Sequence, residues 1–389
     1  MSQHLSQNDH RHKLRDTLLD HRIVVCCGAG GVGKTTTSAA LGLAAALLGQ
    51  KVLVLTIDPA RRLAEALGVS FSDNAPHNVP LEGIATPLEG IPLGELDMWM
   101  LHPQPVFDDM VERLSTSKEQ LEQVTKNPLY QAVRNLISGM QEYMAGESLY
   151  QFYANEHYDL LILDTPPSRN AIDFLRAPEQ ILNFLDSRIL KVFAPSESRF
   201  SLFDTARKVM QSTFERVAGT SFFTDTQEFV TLFLDMFEVL KGHAQTVQEI
   251  LASDDSSHLL VTSPDTIAFQ EALYFQSVLQ ERDIPFAGFI LNRSMADRSL
   301  NTYFDLEPSK RAQLGELSPL QKAALEKLQP MALEEQDFVK QDRELLQQLE
   351  NRCAEGAFTL ASPHIGEDIE DLQGLLTLST LLIAETGKT

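Results

Sequence analysis

The sequence predicts an α/β fold: a mostly parallel sheet with helices on both faces and helical insertions forming a subdomain. Three observations predict it. Short apolar runs such as Ile23-Val24-Val25-Cys26-Cys27 and Tyr158-Asp-Leu-Leu-Ile-Leu163 recur without alternation, as strands buried on both faces do. The first of these runs leads through glycines into a stretch of helix formers, Ser38 to Leu48. A second strand, Lys51 to Ile57, follows at a spacing that fits one helix, which makes a βαβ unit and hence a parallel sheet.

In chain order, residues 1–20 are polar, with His4, His10 and His12 close together, and read as a flexible solvated tail rather than a metal tract. Residues 21–389 read as one domain, with helical insertions at about 103–157, 170–250 and 294–352. The first strand covers Arg22 to Cys27, and the second runs into Asp58-Pro59-Ala60-Arg61-Arg62. Pro and Gly make 70–95 a loop, and a strand-like piece follows at Leu96–Leu101. After the first insertion the strand at Tyr158–Leu163 ends in Asp164-Thr165-Pro166-Pro167-Ser168. The second insertion carries phenylalanines at helical spacing (Phe222, Phe223, Phe229, Phe233, Phe237), which suit either a core or a groove for an apolar client. The sheet resumes at His258–Thr262 and, after a helix over Thr266–Glu281, at Phe286–Leu291. In the third insertion Glu334 to Cys353 reads as one long exposed helix. A last strand at Phe358–Ala361 and a helix over Ile369–Ala384 complete the pattern. No second glycine loop and no internal repeat is present.

The glycine-rich stretch, Gly28-Ala29-Gly30-Gly31-Val32-Gly33-Lys34-Thr35-Thr36, is G-x-x-x-x-G-K-T between strand and helix, the context in which this pattern binds nucleotide phosphates. Gly28, Gly30, Gly31, Val32 and Gly33 present backbone N–H groups, and the helix N-terminus adds its positive end. Lys34 reaches the β- and γ-phosphates, and the hydroxyl of Thr35, beside Thr36, binds Mg²⁺. The fold is thereby a P-loop NTPase, with ATP and Mg²⁺ as its expected ligands.

Composition narrows the rest. The net charge is −22, and no run of Lys and Arg marks a face for nucleic acid or anionic lipid. Three cysteines, two of them adjacent, make no disulfide framework, which points to a reducing compartment. No signal-peptide pattern and no apolar stretch of about 20 residues is found, so the protein reads as cytoplasmic, without direct membrane insertion.

Two aspartates sit just past strand ends, where open parallel sheets bind ligands. Asp164 follows four apolar residues, the place of a carboxylate that holds the Mg²⁺ shell. Asp58 suits either such a role or the start of an Asp-Pro turn. Asn292, with Arg293 next, also follows a strand. Its amide has the donor and acceptor to pair with an adenine edge, but the residues alone read as a turn.

Gly-Ala-Gly-Gly-Val-Gly-Lys-Thr-Thr-Thr, Thr-Ile-Asp-Pro-Ala, Leu-Asp-Thr-Pro-Pro-Ser and Ile-Leu-Asn-Arg stand in the order and spacing of the anion-transporting ATPases. The chain resembles that family from about residue 22 to 385 and looks closest to a bacterial subgroup of it. The family includes arsenite-pump and tail-anchored-protein-targeting ATPases. The resemblance implies a dimer with two nucleotides facing each other, helical subdomains above them, and opening and closing driven by ATP. It implies that Asp58 positions or activates the attacking water and lies near the metal, that Asp164 lies near Mg²⁺, that Asn292 reads adenine, and that Pro363 flanks it.

The chain also departs from the family pattern. The family normally has a lysine where this chain has Ala29, and that lysine reaches across the dimer to the partner's phosphates. Loss of such a contact slows hydrolysis by orders of magnitude unless another cation substitutes. Arg61, Arg62 and Arg169 replace the family's His, Asn and Gly in the two switch loops, and Arg169 is the first candidate for a catalytic replacement. Two functions follow as alternatives: an ATPase switch coupled to a client protein or a membrane transport partner, or an ATP-binding clamp with little hydrolysis. The dimer partner is a second copy or a paralogous ATPase. Arsenite capture needs three converging thiolates, whereas Cys26 and Cys27 point to opposite faces of one strand. A Cys-x-x-Cys pair for zinc is absent.

Overall fold

A computed structural model of the chain describes residues 6–57, 67, 74–81, 83–84, 90–136, 141–185, 220–298, 318–353, 356–365, 369 and 371–384. In chain order its elements are α1 (Gln7–Asp20), β1 (Ile23–Gly28), α2 (Lys34–Leu47), β2 (Lys51–Thr56), β3 (His77–Asn78), β4 (Glu95–Met100), α3 (Pro103–Leu114), α4 (Lys118–Lys126) and α5 (Pro128–Leu136). There follow α6 (Gln141–Ala154), β5 (Leu160–Asp164), α7 (Ser168–Leu185), α8 (Thr220–Leu251), β6 (Ser256–Thr262), α9 (Thr266–Glu281), β7 (Phe286–Ser294), α10 (Pro319–Glu350), β8 (Phe358–Pro363) and α11 (Leu372–Ile383). The eight strands form one sheet in the order β3-β4-β2-β5-β1-β6-β7-β8. All neighbours are parallel except the two-residue β3, which lies antiparallel on β4 inside the stretch expected to be loop.

The period of two along each strand sorts the core into two layers. Val24, Cys26, Val52, Val54 and Ile162 face α2 and α11, while Ile23, Val25, Cys27, Leu53, Leu55 and Leu163 face the layer of α6–α9. Cys26 and Cys27 therefore point to opposite faces, and burial pushes the Cys27 thiol up to about 12 and the Cys26 thiol higher still. Among the described residues no group of three or more His, Cys, Asp or Glu is placed to hold a metal, and no helix is long and apolar enough to cross a membrane. In α8, Phe229 and Phe233 are buried with ring centroids 4.3 Å apart, so this part of the aromatic stripe is core; Phe222 is exposed. Residues 186–219, within the expected second insertion, lie outside the described residues, as do 299–317 of the third.

Two expectations are corrected. Residues 7–20 are not a tail but α1, opened by a Ser6–Asp9 capping box. Leu14 and Leu18 are buried, and the polar residues serve the sheet's edge. Gln7 Nε2 donates to Thr359 O (3.2 Å), Ala361 N donates to Gln7 Oε1 (3.0 Å), and Thr359 N donates to His10 Nδ1 (3.3 Å). An otherwise open β8 thus finds side-chain partners for its backbone. The helix expected from Glu334 starts instead at Pro319 under a Ser318–Gln321 capping box and runs through Pro330. Nor is it exposed throughout, since Val339, Asp342, Leu346 and Leu349 are buried.

Candidate functional site

The order β2-β5-β1-β6-β7 brings the C-terminal ends of the motif-bearing strands to one sheet edge. The glycine loop leaves β1 at its middle. Gly28 has no room for a side chain, because a Cβ there would lie 2.1 Å from Val261 O on β6. Gly33 is the N-cap of α2 at φ +90° and has no side chain with which to cap the helix. The first N–H groups of α2 are thereby left to the loop, as an anion site at a helix N-terminus requires. Lys34 folds back over the loop, its Nζ donating to Ala29 O at 2.8 Å, and is only 7 % exposed. Ala29 is itself buried and brings no charge. A narrow glycine cradle, an uncapped helix start and an inward ammonium fit the phosphates of a nucleotide.

Asp164 ends β5, the strand beside β1, in register with Cys26, and is fully buried. The chain after it is tied to the loop strand: Thr165 N and Oγ1 both donate to Cys26 O, at 3.2 and 2.8 Å. Gly30 approaches the next turn, since a Cβ on it would stand 3.8 Å from the Pro167 ring. Asp164 and Lys34 both act electrostatically on the Cys26 and Cys27 thiols, the carboxylate raising and the ammonium lowering each of them, less than burial does. Opposite charges therefore act on the same two thiols at the C-terminal ends of β1 and β5. A hydroxyl on Thr35 and the Asp164 carboxylate are hard oxygen donors of the kind Mg²⁺ takes.

Ile57, at the end of β2, donates its N–H to Asp164 O at 3.2 Å; Asp58 and the arginines Arg61 and Arg62 lie outside the described residues. Arg169 is the second residue of α7, and its side chain lies outside what is described. Asn292 is buried on β7 and does not stand free beside the site. Its Nδ2 donates to Val32 O in the glycine loop (2.8 Å), and its Oδ1 accepts from Ser362 Oγ (3.0 Å). Arg293 is exposed, with φ 57°, and Pro363 pairs with Ser294 at the end of β8. Ser362 and Thr165 are site-supporting residues that the motif reading missed. Each is a buried polar residue at a strand end, which was the only signal available.

The sequence model of the family described as "Anion-transporting ATPase" matches residues 21–328. Similar curated proteins include "ATPase GET3" of Malassezia globosa, 26 % identical over 58 % of this chain and 57 % of its own length. "Putative arsenical pump-driving ATPase 1" of Aquifex aeolicus is 27 % identical over 65 % of this chain and 59 % of its own. "ATPase ASNA1 homolog" of Entamoeba dispar is 23 % identical over 75 % and 83 %. The chain thus spans less than two thirds of the length of the first two. With the family match covering the glycine loop, Asp164 and Asn292 alike, the chain belongs to the anion-transporting ATPase family.

Proposed function

We propose that this chain is a Mg·ATP-dependent ATPase working as a nucleotide-driven dimeric switch that couples hydrolysis to a client protein or a membrane transport partner. The observation that carries the proposal is the arrangement at the C-terminal ends of the paired strands β1 and β5. There an uncapped α2 N-terminus and the inward Lys34 stand one strand from the fully buried Asp164. In this reading the loop N–H groups and Lys34 bind the phosphate oxygens, and Thr35 and Asp164 hold the magnesium ion. When bound, that ion neutralises charge on the β- and γ-phosphates. Asp58 orients the attacking water, and Arg169 supplies the cation that Ala29 does not. The names of the relatives support ATP as the nucleotide and leave the client open.

Ala29 favours a second reading, an ATP-held clamp with little hydrolysis, because no ammonium at that position can cross to a partner's phosphates. Phosphate release and mass in solution, each with and without ATP·Mg²⁺, separate the two. The switch predicts release that Lys34→Ala abolishes, together with a doubling of mass on adding nucleotide. The clamp predicts the mass change with release at background, unaltered by Lys34→Ala. A wild-type chain with neither response contradicts both.

A further inference from the structure

We infer that Asn292 is a positioning residue for the glycine loop: a strut, fixed by Ser362, that holds the Val32 carbonyl so that the loop is set for phosphate before any nucleotide arrives. The inference rests on the proposed phosphate site and adds to it.

Three observations converge on this strut. First, the Asn292 amide is engaged at both ends inside the protein, donating to Val32 O at 2.8 Å and accepting from Ser362 Oγ at 3.0 Å. The Val32 carbonyl settles which way the amide faces, since it can only accept and so requires Nδ2 on the loop side, leaving Oδ1 to accept from the Ser362 hydroxyl. Second, the loop has made room for it: a Cβ on Gly33 would lie 2.3 Å from Asn292 Nδ2. Third, the strand is distorted at this point. Leu291 pairs with Ala361, but the next partners are Ser294 and Pro363, so β7 carries one residue more than β8. Arg293 takes up the excess at φ 57°, a conformation that L residues avoid. Such bulges re-aim side chains beside functional sites. Beyond the bulge the chain is pinned, with Ser294 Oγ and Met295 N donating to the buried Asp342 at 3.2 and 2.6 Å.

The consequence follows from the planar trans peptide, whose C=O and N–H point opposite ways. With the Val32 carbonyl held toward Asn292 on β7, the Gly33 N–H of the same peptide must point away from β7. A strut on the carbonyl therefore orients a phosphate donor without touching the ligand.

Binding of Mg²⁺ tripolyphosphate, ATP and GTP to the full chain distinguishes a strut from a base reader, because tripolyphosphate has no base. For Asn292→Ala the strut predicts tripolyphosphate and ATP weakened by the same factor, about tenfold, with the ATP-to-GTP ratio unchanged. Ser362→Ala shifts the same two affinities in the same direction, about threefold, and covers the case in which Asn292→Ala does not fold. Tripolyphosphate affinity unchanged in the folded Asn292 variant, or in Ser362→Ala if the first does not fold, overturns the strut. If the ATP preference collapses at the same time, Asn292 is a base reader instead. Failure of the wild-type chain to bind tripolyphosphate or ATP overturns the phosphate site and the strut together; binding that both variants retain overturns the strut alone.

Discussion

Gly33→Ala and Gly31→Ala form a matched pair that separates backbone strain from collision in the glycine loop. Both residues have φ in the left-handed region, +90° and +79°. An alanine at either therefore costs about 1–2 kcal/mol of backbone strain. Around Gly31 there is nothing within 4 Å of the added Cβ, so strain is its whole cost. At Gly33 the Cβ stands 2.3 Å from Asn292 Nδ2, well inside contact distance. The amide must retreat and give up its 2.8 Å bond to Val32 O, which leaves a buried carbonyl unpaired. That adds about 1–3 kcal/mol, for a total of about 2–5 kcal/mol. Urea denaturation without nucleotide reads both variants on one scale. Gly33→Ala should be the less stable by about 1–3 kcal/mol. Equal losses would refute the contact between loop and amide, whatever their size.

Further outcomes follow from other parts of the molecule. His258 is fully buried on β6, with Nδ1 3.0 Å from Pro285 O, and burial brings its pKa down to about 4 from 6.5. Above pH ~6.5 this shift has no effect on stability. As the pH falls from there toward 4 the unfolded chain takes up a proton that the fold refuses, and about 3 kcal/mol is lost. Urea midpoints across that window should fall less steeply for His258→Asn, and an identical slope would exclude His258 as the cause. Gln7→Ala removes two hydrogen bonds to the edge of β8, and a loss of about 1–2 kcal/mol with faster amide exchange at Ala361 is expected. Arg169→Ala should cut ATP turnover and Ala29→Lys should raise it; wild-type turnover in the first would remove Arg169 as the substitute cation.

The parallel sheet and the strand–glycine loop–helix arrangement were legible because each rests on local pattern. Unbroken apolar strands such as Leu160–Leu163 and the G-x-x-x-x-G-K-T spacing need no distant partner to be read. The α1 helix was not, because the residues that make it necessary lie some 350 positions away: Gln7 and His10 look solvated until Thr359 and Ala361 are beside them. In α10 a local signal was passed over. The start expected at Glu334 lies 15 residues past the true one, which the Ser318 cap and Pro319 mark, and the helix continues through Pro330. Asn292 was found as a residue but not in its contacts, since the bulge that turns it exists only in the register of β7 against β8.

The central claim is that the loop between β1 and α2 holds nucleotide phosphates through Lys34. Calorimetric titration of the full chain with ATP·Mg²⁺, beside Lys34→Ala, tests it most directly. The ammonium is buried, 2.8 Å from Ala29 O, and already inside the loop, so its loss removes charge-assisted contacts of about 1.5–3 kcal/mol. The wild-type chain should bind one ATP per chain, and the variant should bind it at least tenfold more weakly. Equal affinities, or no binding by the wild-type chain, would contradict the account.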